Sequence, residues 1–335
     1  MVNLAGTHEE GLAEGSSSTF KVRTTQNRYF ENMAQNGYRI EAYQSDYMDF
    51  CGNAASAPPF CLTYRPFPVK FIADQPWPTS EKLQTLMGYY LTHSAFYTTV
   101  RQGWYLLAEG GLKIGLNLPK WNWEFSRSAP MGTLDLIEPL AQRLQNAKAG
   151  EMYFVHLLLP HSPYAFNEMC ELKPAHEWME RRDRVLPSAQ ANTDETRLER
   201  YDSYMQQIAC ANTQITRLID AFETSRIASG RVIMVHGDHG SRIARYDARE
   251  SRRDDLTPRD IIDNYSTLFA IKADDISPGY DLSRVSMQDL VEFYVKGGFA
   301  ETKQGHTWPA PIFHYTSIGK RVSSKDDMPD FGNAQ

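Results

Sequence analysis

Apolar positions along this chain recur with two periods. Over residues 25–35, Tyr29, Phe30 and Met33 fall at helical spacing and Asn36-Gly37 stops the helix; residues 38–43 then alternate and are β-rich. The same reading predicts helices over 81–107, 134–146 and 196–225, the last burying Tyr201, Tyr204, Ile208, Ile215, Leu218 and Ile219. A short helix over 286–294 opens on the cap signature Ser286-x-x-Asp289. Two runs, 152–159 and 231–236, are apolar almost throughout, as expected of strands buried on both faces, and 265–272 reads as a further strand. Helices and strands in this order predict an α/β fold, a mostly parallel sheet in a three-layer α/β/α arrangement.

The intervening stretches carry different signals. Residues 11–18 are rich in Gly and Ser and read as a loop, and 57–78, crowded with prolines and aromatics, read as irregular. Residues 110–130, with Trp121 and Trp123, read as a surface excursion, and the aromatic stretch 104–125 is the expected seat of substrate specificity. Charge-rich 173–195 and 247–260 read as solvated, and the polar tail beyond Lys320 is expected to fray. The expectation is one domain over 1–320, with an aromatic-rich insertion at 104–130 and a tail at 321–335.

Charge and cysteine usage narrow the function. With 35 Lys and Arg against 41 Asp and Glu, the net charge of −6 argues against a polyanion binder and excludes nucleic acid as the expected partner. The 41% hydrophobic and 23% charged fractions are those of a globular chain. No stretch approaches the ~20 apolar residues of a membrane span, and the first ten residues lack the basic start and apolar core of a secretory signal. The four cysteines have no C-x-x-C spacing, which argues against a thiolate zinc site. Cys51 and Cys61 flank a short loop, where a local disulfide and two half-buried thiols both fit; a disulfide would imply an oxidising compartment.

The chemistry gathers at two strand ends. Val155-His156-Leu-Leu-Leu-Pro160-His161-Ser162-Pro163 and Val232-Ile-Met-Val-His236-Gly237-Asp238-His239-Gly240 each deliver histidine just past an apolar strand. Asp238 and His239 offer one hard oxygen and one imidazole nitrogen, suited to a divalent ion such as zinc or manganese, while the flanking glycines let the backbone turn sharply. Further ligands must come from elsewhere; His161 either completes the shell or holds the anionic group being transferred.

Phe154-Val-His-Leu-Leu-Leu-Pro-His161-Ser-Pro-Tyr164 resembles the strand ending in Pro-His-x-Pro of the sulfatase-like branch of the alkaline phosphatase superfamily, and Val235-His-Gly-Asp238-His239-Gly240 resembles its Asp-His-Gly metal motif. That branch includes sulfatases, phosphoethanolamine transferases and lipoteichoic acid synthases. The resemblance implies an alkaline phosphatase-like fold and a metal-dependent hydrolase or phosphotransferase acting on a small or lipid-linked sulfate or phosphate ester. Asp238 and His239 would hold the divalent ion (Zn, Mn, Ca or Mg) and His161 would contact the ester oxygens. Arg242 and Arg245 would add positive charge near the anion, where surface arginines are the plainer reading. His306, in Gly305-His306-Thr-Trp-Pro, is a candidate late ligand or a surface histidine.

The family's opening strand, its acidic ligand and its nucleophile have no counterpart here. None of the cysteines stands in a Cys-x-Pro-x-Arg context, and Ser16, Ser17, Ser18 and Thr19 lack an activating strand and acidic partner. The nucleophile is therefore unknown, with a Ser or Thr upstream of Met1 as the expectation for a longer parent. That parent is expected on the periplasmic or cell-surface side, tethered to the membrane only through the missing upstream segment. The rival expectation is a truncated or degenerate domain that keeps the fold as a binding module.

Overall fold

The computed structural model describes residues 12–14, 22–24, 27–52, 57–65, 68–92, 94–118, 129–180, 192–246, 254–274, 276–280, 285–296, 311–315 and 321–327. In chain order the elements are β1 (Leu12–Glu14), β2 (Val22–Thr24), α1 (Arg28–Gln35), β3 (Arg39–Ser45), β4 (Met48–Asp49), β5 (Phe60–Tyr64), α2 (Pro68–Ala73), α3 (Thr79–Thr92), α4 (Tyr97–Lys113) and α5 (Ala129–Gln145). There follow β6 (Glu151–Val155), a 3₁₀ turn (Ala175–Glu177), α6 (Asp194–Glu223), β7 (Ile233–His236), α7 (Pro258–Tyr265), β8 (Phe269–Lys272), α8 (Met287–Lys296), β9 (Pro311–Tyr315) and β10 (Arg321–Asp327). The protein is a mixed α/β structure. It divides into two compact units, one of Met1–Thr63, Arg143–Val155 and Ile219–Gln335, the other of Tyr64–Gln142 and His156–Leu218.

In the first unit β3 is the central strand of a sheet ordered β5-β3-β6, and it pairs with β6 in parallel from Arg39 opposite Glu151 to Tyr43 opposite Val155. Its residues from Ile40 to Ser45 are all buried, as a central strand requires. Asn27 caps α1 by accepting from the Phe30 N–H at 3.2 Å, which sets Phe30 edge-on to Phe154 of β6 with centroids 5.2 Å apart. Phe30, Ile40, Ala42, Met48, Phe50 and Met152 form this unit's core.

Glu41 is buried in the same strand and is matched rather than solvated. Arg143, at the end of α5, donates to both of its carboxylate oxygens at 2.7 and 3.0 Å and to Glu151 at 3.1 Å. Removing one partner of such a network strands a buried charge, at a cost of about 3–5 kcal/mol. Beside it the Tyr43 hydroxyl is pushed up to about 12, first by burial and then by Glu41.

The second unit is built on α6. Ile72, Met131, Leu159, Ala165, Phe166, Leu172, Cys210 and Ala211 pack together, and Cys210 is disulfide-bonded to Cys170. The first unit carries the Cys51–Cys61 disulfide. Of the two options left open for that pair, the bond is the one formed; the Cys170–Cys210 bond, across 40 positions, had no signal in local spacing.

Several expectations need correction. Residues 57–78 contain β5 and α2; Pro68 takes the first position of α2, where a missing N–H does no harm. The helix expected over 81–107 is two helices, α3 and α4, and α4 runs through Gly110 to Lys113, where the excursion was expected to have begun. Residues 119–128, including Trp121 and Trp123, lie outside the described residues, as do 247–253 of the charged run. Lys173, expected in a solvated stretch, is buried with its Nζ 3.3 Å from Ser203 Oγ. The tail expected to fray contains β10, paired antiparallel with β9. β7 and β8 are likewise antiparallel, and among the described residues this pair, after which the Asp-His-Gly segment follows, forms a two-stranded sheet without a parallel partner. For β5, for β10 and for the β7–β8 pair, the partner strand, which periodicity does not name, decided the outcome.

Candidate functional site

The segment after β7 is shaped by two glycines and one helix. A Cβ on Gly240 would stand 2.0 Å from the Asp263 carbonyl oxygen, and one on Gly237 would stand 2.1 Å from Thr267 Oγ1. Only a residue without a side chain lets this loop approach α7 and its C-terminal extension so closely. α7 begins with a reciprocal cap between Thr257 and Asp260. Asp260 also accepts from the Arg245 N–H at 2.9 Å, Asp263 accepts from the Ala244 N–H at 2.7 Å and from the Ser241 hydroxyl, and the Gly240 N–H donates to the Asn264 carbonyl at 3.2 Å. The loop from 240 to 245 is thus laid along one short helix by its acidic and amide residues.

Within that loop His239 places Nδ1 2.6 Å from the Gly240 carbonyl. A ring nitrogen facing a carbonyl must carry the proton, which makes Nε2 the lone-pair atom. Nε2 lies 3.6 Å from Asp238 Oδ1. Two ligands bound to one tetrahedral ion at about 2.1 Å stand about 3.4 Å apart, so this pair fits two corners of a divalent-cation shell. Asp238 presents more than half of its side-chain surface to water, yet the protein behind it is the largest influence and raises its carboxyl; positive charge around it, that of His239 first and Arg242 among the rest, outweighs that and holds it below its ordinary value of 3.8. No group of three or more His, Cys, Asp or Glu placed to hold a metal occurs among the described residues. Two corners are provided there and a complete shell is not.

Arg242 adopts a left-handed backbone, φ 57°, uncommon outside glycine, and its N–H donates to the Asp263 carbonyl at 3.3 Å. Arg245 is exposed and its guanidinium sits 5.6 Å from the centre of the neighbouring Tyr246 ring. His236 is pushed below its ordinary 6.5, chiefly by burial, and stacks on Phe269.

His161 belongs to the second unit, whereas Asp238, His239, Arg242 and Arg245 belong to the first. Its Nδ1 also faces the next carbonyl, that of Ser162, at 2.6 Å, so the same tautomer follows. β6 ends at Val155, earlier than the apolar run predicts, because the Leu158 N–H turns to Tyr64 Oη at 3.2 Å and Thr133 Oγ1 at 3.1 Å instead of a strand neighbour. Fully buried Gln207 of α6 donates to the His161 carbonyl at 2.8 Å and accepts from the Ala165 and Phe166 N–H groups at 2.8 and 3.2 Å. His306 and Ser16 to Thr19 lie outside the described residues.

Gln207, Asp260 and Asp263 hold the two loops and were not singled out in the sequence. Thr257-Pro258-Arg259-Asp260 carries a readable cap pattern; nothing local marks Gln207. Comparison of the chain with protein-family models, with curated proteins and with solved structures gives no match in any of the three. The family resemblance therefore rests on residues 154–164 and 235–240 alone.

Proposed function

We propose that this chain is a metal-dependent sulfate- or phosphate-ester hydrolase or phosphotransferase of the sulfatase-like kind, with an alkaline phosphatase-like α/β/α core. The observation that carries the reading is the Asp238–His239 pair, held by the docking of its loop on α7 with an oxygen and an imidazole nitrogen at the spacing one ion needs. A divalent ion, when bound, supplies Lewis-acid stabilisation of charge on a phosphoryl or sulfuryl oxygen. Asp238 is the anionic ligand, and the Gly240 carbonyl fixes the ring of His239 so that Nε2 carries the lone pair. The role of His161 toward the ester oxygens, and of Arg242 and Arg245 as added positive charge, is assigned from the sequence motif.

The four cysteines form two disulfides, and bonds of this kind persist where the surroundings oxidise thiols. This supports placing the protein on the periplasmic or cell-surface side; the substrate proposed is a small or lipid-linked ester.

The test compares the full chain with Asp238→Ala for bound zinc and manganese after dialysis, read by elemental mass spectrometry, and for turnover of p-nitrophenyl phosphate and sulfate. The expected result is metal in the parent chain, lost in the variant together with turnover. Equal metal in both removes the ligand assignment. Metal bound by Asp238 with no turnover supports the rival reading, a binding module without its nucleophile.

A further inference from the structure

One face of the second unit has a composition that its fold does not use. α4 buries Tyr97, Ala108 and Gly111. About a quarter-turn round the helix from these, Val100, Gly103, Leu107 and Gly110, with the flanking caps Phe96 and Ile114, follow at spacings of four, three, four, three and four, which is a straight stripe along the helix. The stripe faces water: Phe96 is 74% exposed, Leu107 63% and Ile114 81%, with Leu106 beside it and Leu116 just beyond equally open. α3 repeats the pattern with Leu83, Met87 and Tyr90, all exposed at i, i+4 and i+7. Scattered exposed apolar residues need no explanation, but two helical stripes in consecutive helices do.

Charge identifies the occupant. Between Lys82 and Glu109 there is no Asp or Glu, and Glu109 is the single carboxylate from residue 83 to 123, where the average of 41 acidic residues in 335 would place about five. Of the cations in that stretch, Lys113 is exposed at the end of α4, Arg101 lies over the ring of buried Tyr97, and Lys120 is outside the described residues. A protein partner gives no reason to strip carboxylates alone, whereas an anionic lipid surface repels them and attracts the cations. Tyr90, exposed near the end of α3, is an aromatic type that settles at the headgroup level, and Phe96, exposed at the start of α4, belongs to the apolar side of an interfacial helix. No helix among the described residues is long and apolar enough to cross a membrane, so such a helix lies along the interface and does not span it.

We infer that the exposed apolar face of α4 seats on an anionic phospholipid bilayer. The apolar stripe enters the acyl boundary and Lys113 meets a lipid phosphate. This inference goes beyond the ester chemistry proposed above and uses none of its residues.

The experiment floats the full chain with vesicles of phosphatidylcholine alone and of phosphatidylcholine mixed with phosphatidylglycerol, at low and high salt. Binding is expected on the mixed vesicles and is weakened by salt. The double variant Leu107→Glu/Ile114→Glu, at positions already open to water, is expected to keep the parent's melting temperature and to lower lipid partitioning by about tenfold or more. Tyr280→Glu, a fully exposed position in the other unit, is expected to bind like the parent. Failure of the parent to float on the mixed vesicles overturns the inference, as does equal flotation of the double variant. A monomer–dimer equilibrium in sedimentation that the same variant abolishes, with no flotation, assigns the face to a second copy of the chain instead.

Discussion

His161 and His239 each turn Nδ1 onto the carbonyl of the following residue at 2.6 Å, yet the two loops are secured in different ways. The His161 loop has prolines at 160 and 163, and its amides and carbonyl are met by Gln207, a side chain 46 positions away on a long helix. The His239 loop has glycines at 237 and 240, and lies on backbone and short side chains of α7 some twenty positions on. One ring is held by a side chain added at a distance, the other by side chains left out. The first arrangement fails when a hydrogen-bonding group is lost, the second when a single carbon is gained.

That contrast sets the order of expected effects. Gly240→Ala forces a Cβ against a backbone carbonyl and is expected to destabilise by about 4 kcal/mol in urea unfolding. No single side-chain truncation should rescue it, because the obstacle is main chain. Gly237→Ala meets only the end of Thr267, so Thr267→Ala added to it is expected to recover most of the loss; rescue of Gly240→Ala by the same change would break the distinction.

Gln207→Leu leaves the buried Ala165 and Phe166 N–H groups without their acceptor. It is expected to cost about 3 kcal/mol and to speed hydrogen exchange at those two amides. A cost near zero would mean that the loop is held elsewhere. Asp263→Ala removes one helix-borne anchor of several from the other loop and is expected to cost about 1–2 kcal/mol in the same assay.

The smallest effects separate the two strands by pH. The folded pKa of His236, in β7, is depressed mainly by burial, against the raising pull of the Gly237 carbonyl and Asp238. As pH falls below the ordinary 6.5, the unfolded chain takes up a proton that the folded strand resists, so stability declines from there toward the folded value. Glu151, at the start of β6, is raised by burial but lowered further by Tyr153, the Lys148 N–H and Arg143, for a net depression. Its contribution is present above the ordinary 4.5 and is lost as pH falls through the folded value. The urea midpoint should thus decline in two windows, the upper removed by His236→Gln and the lower by Glu151→Gln. A profile unchanged by either variant would contradict the assignment.

The residues themselves show how far local reading reaches. α1, β3, α6 and β7 stand within a few positions of their expected bounds, because each is set by a period its own residues carry. Asp238 and His239 were found for the same reason: an apolar strand followed by Gly-Asp-His-Gly places them at its end, and the structure does so. Arg242 was selected for its charge, but its left-handed backbone, which accompanies a hydrogen bond from its N–H to the Asp263 carbonyl 21 positions on, was not legible in its neighbours in the chain.

The α/β class, the longer periodic elements such as α1, β3, α6 and β7, and the two histidine-bearing strand ends were determined by the sequence alone, because helix and strand periods are properties of consecutive residues. Only the tertiary structure decided that Cys210 meets Cys170, that β10 finds β9, that Glu41 is buried against Arg143, and that Gln207 holds the His161 loop. Those choices join positions up to 102 residues apart. Their partners are picked by packing and by the need to satisfy every buried polar group, and a local pattern does not record either.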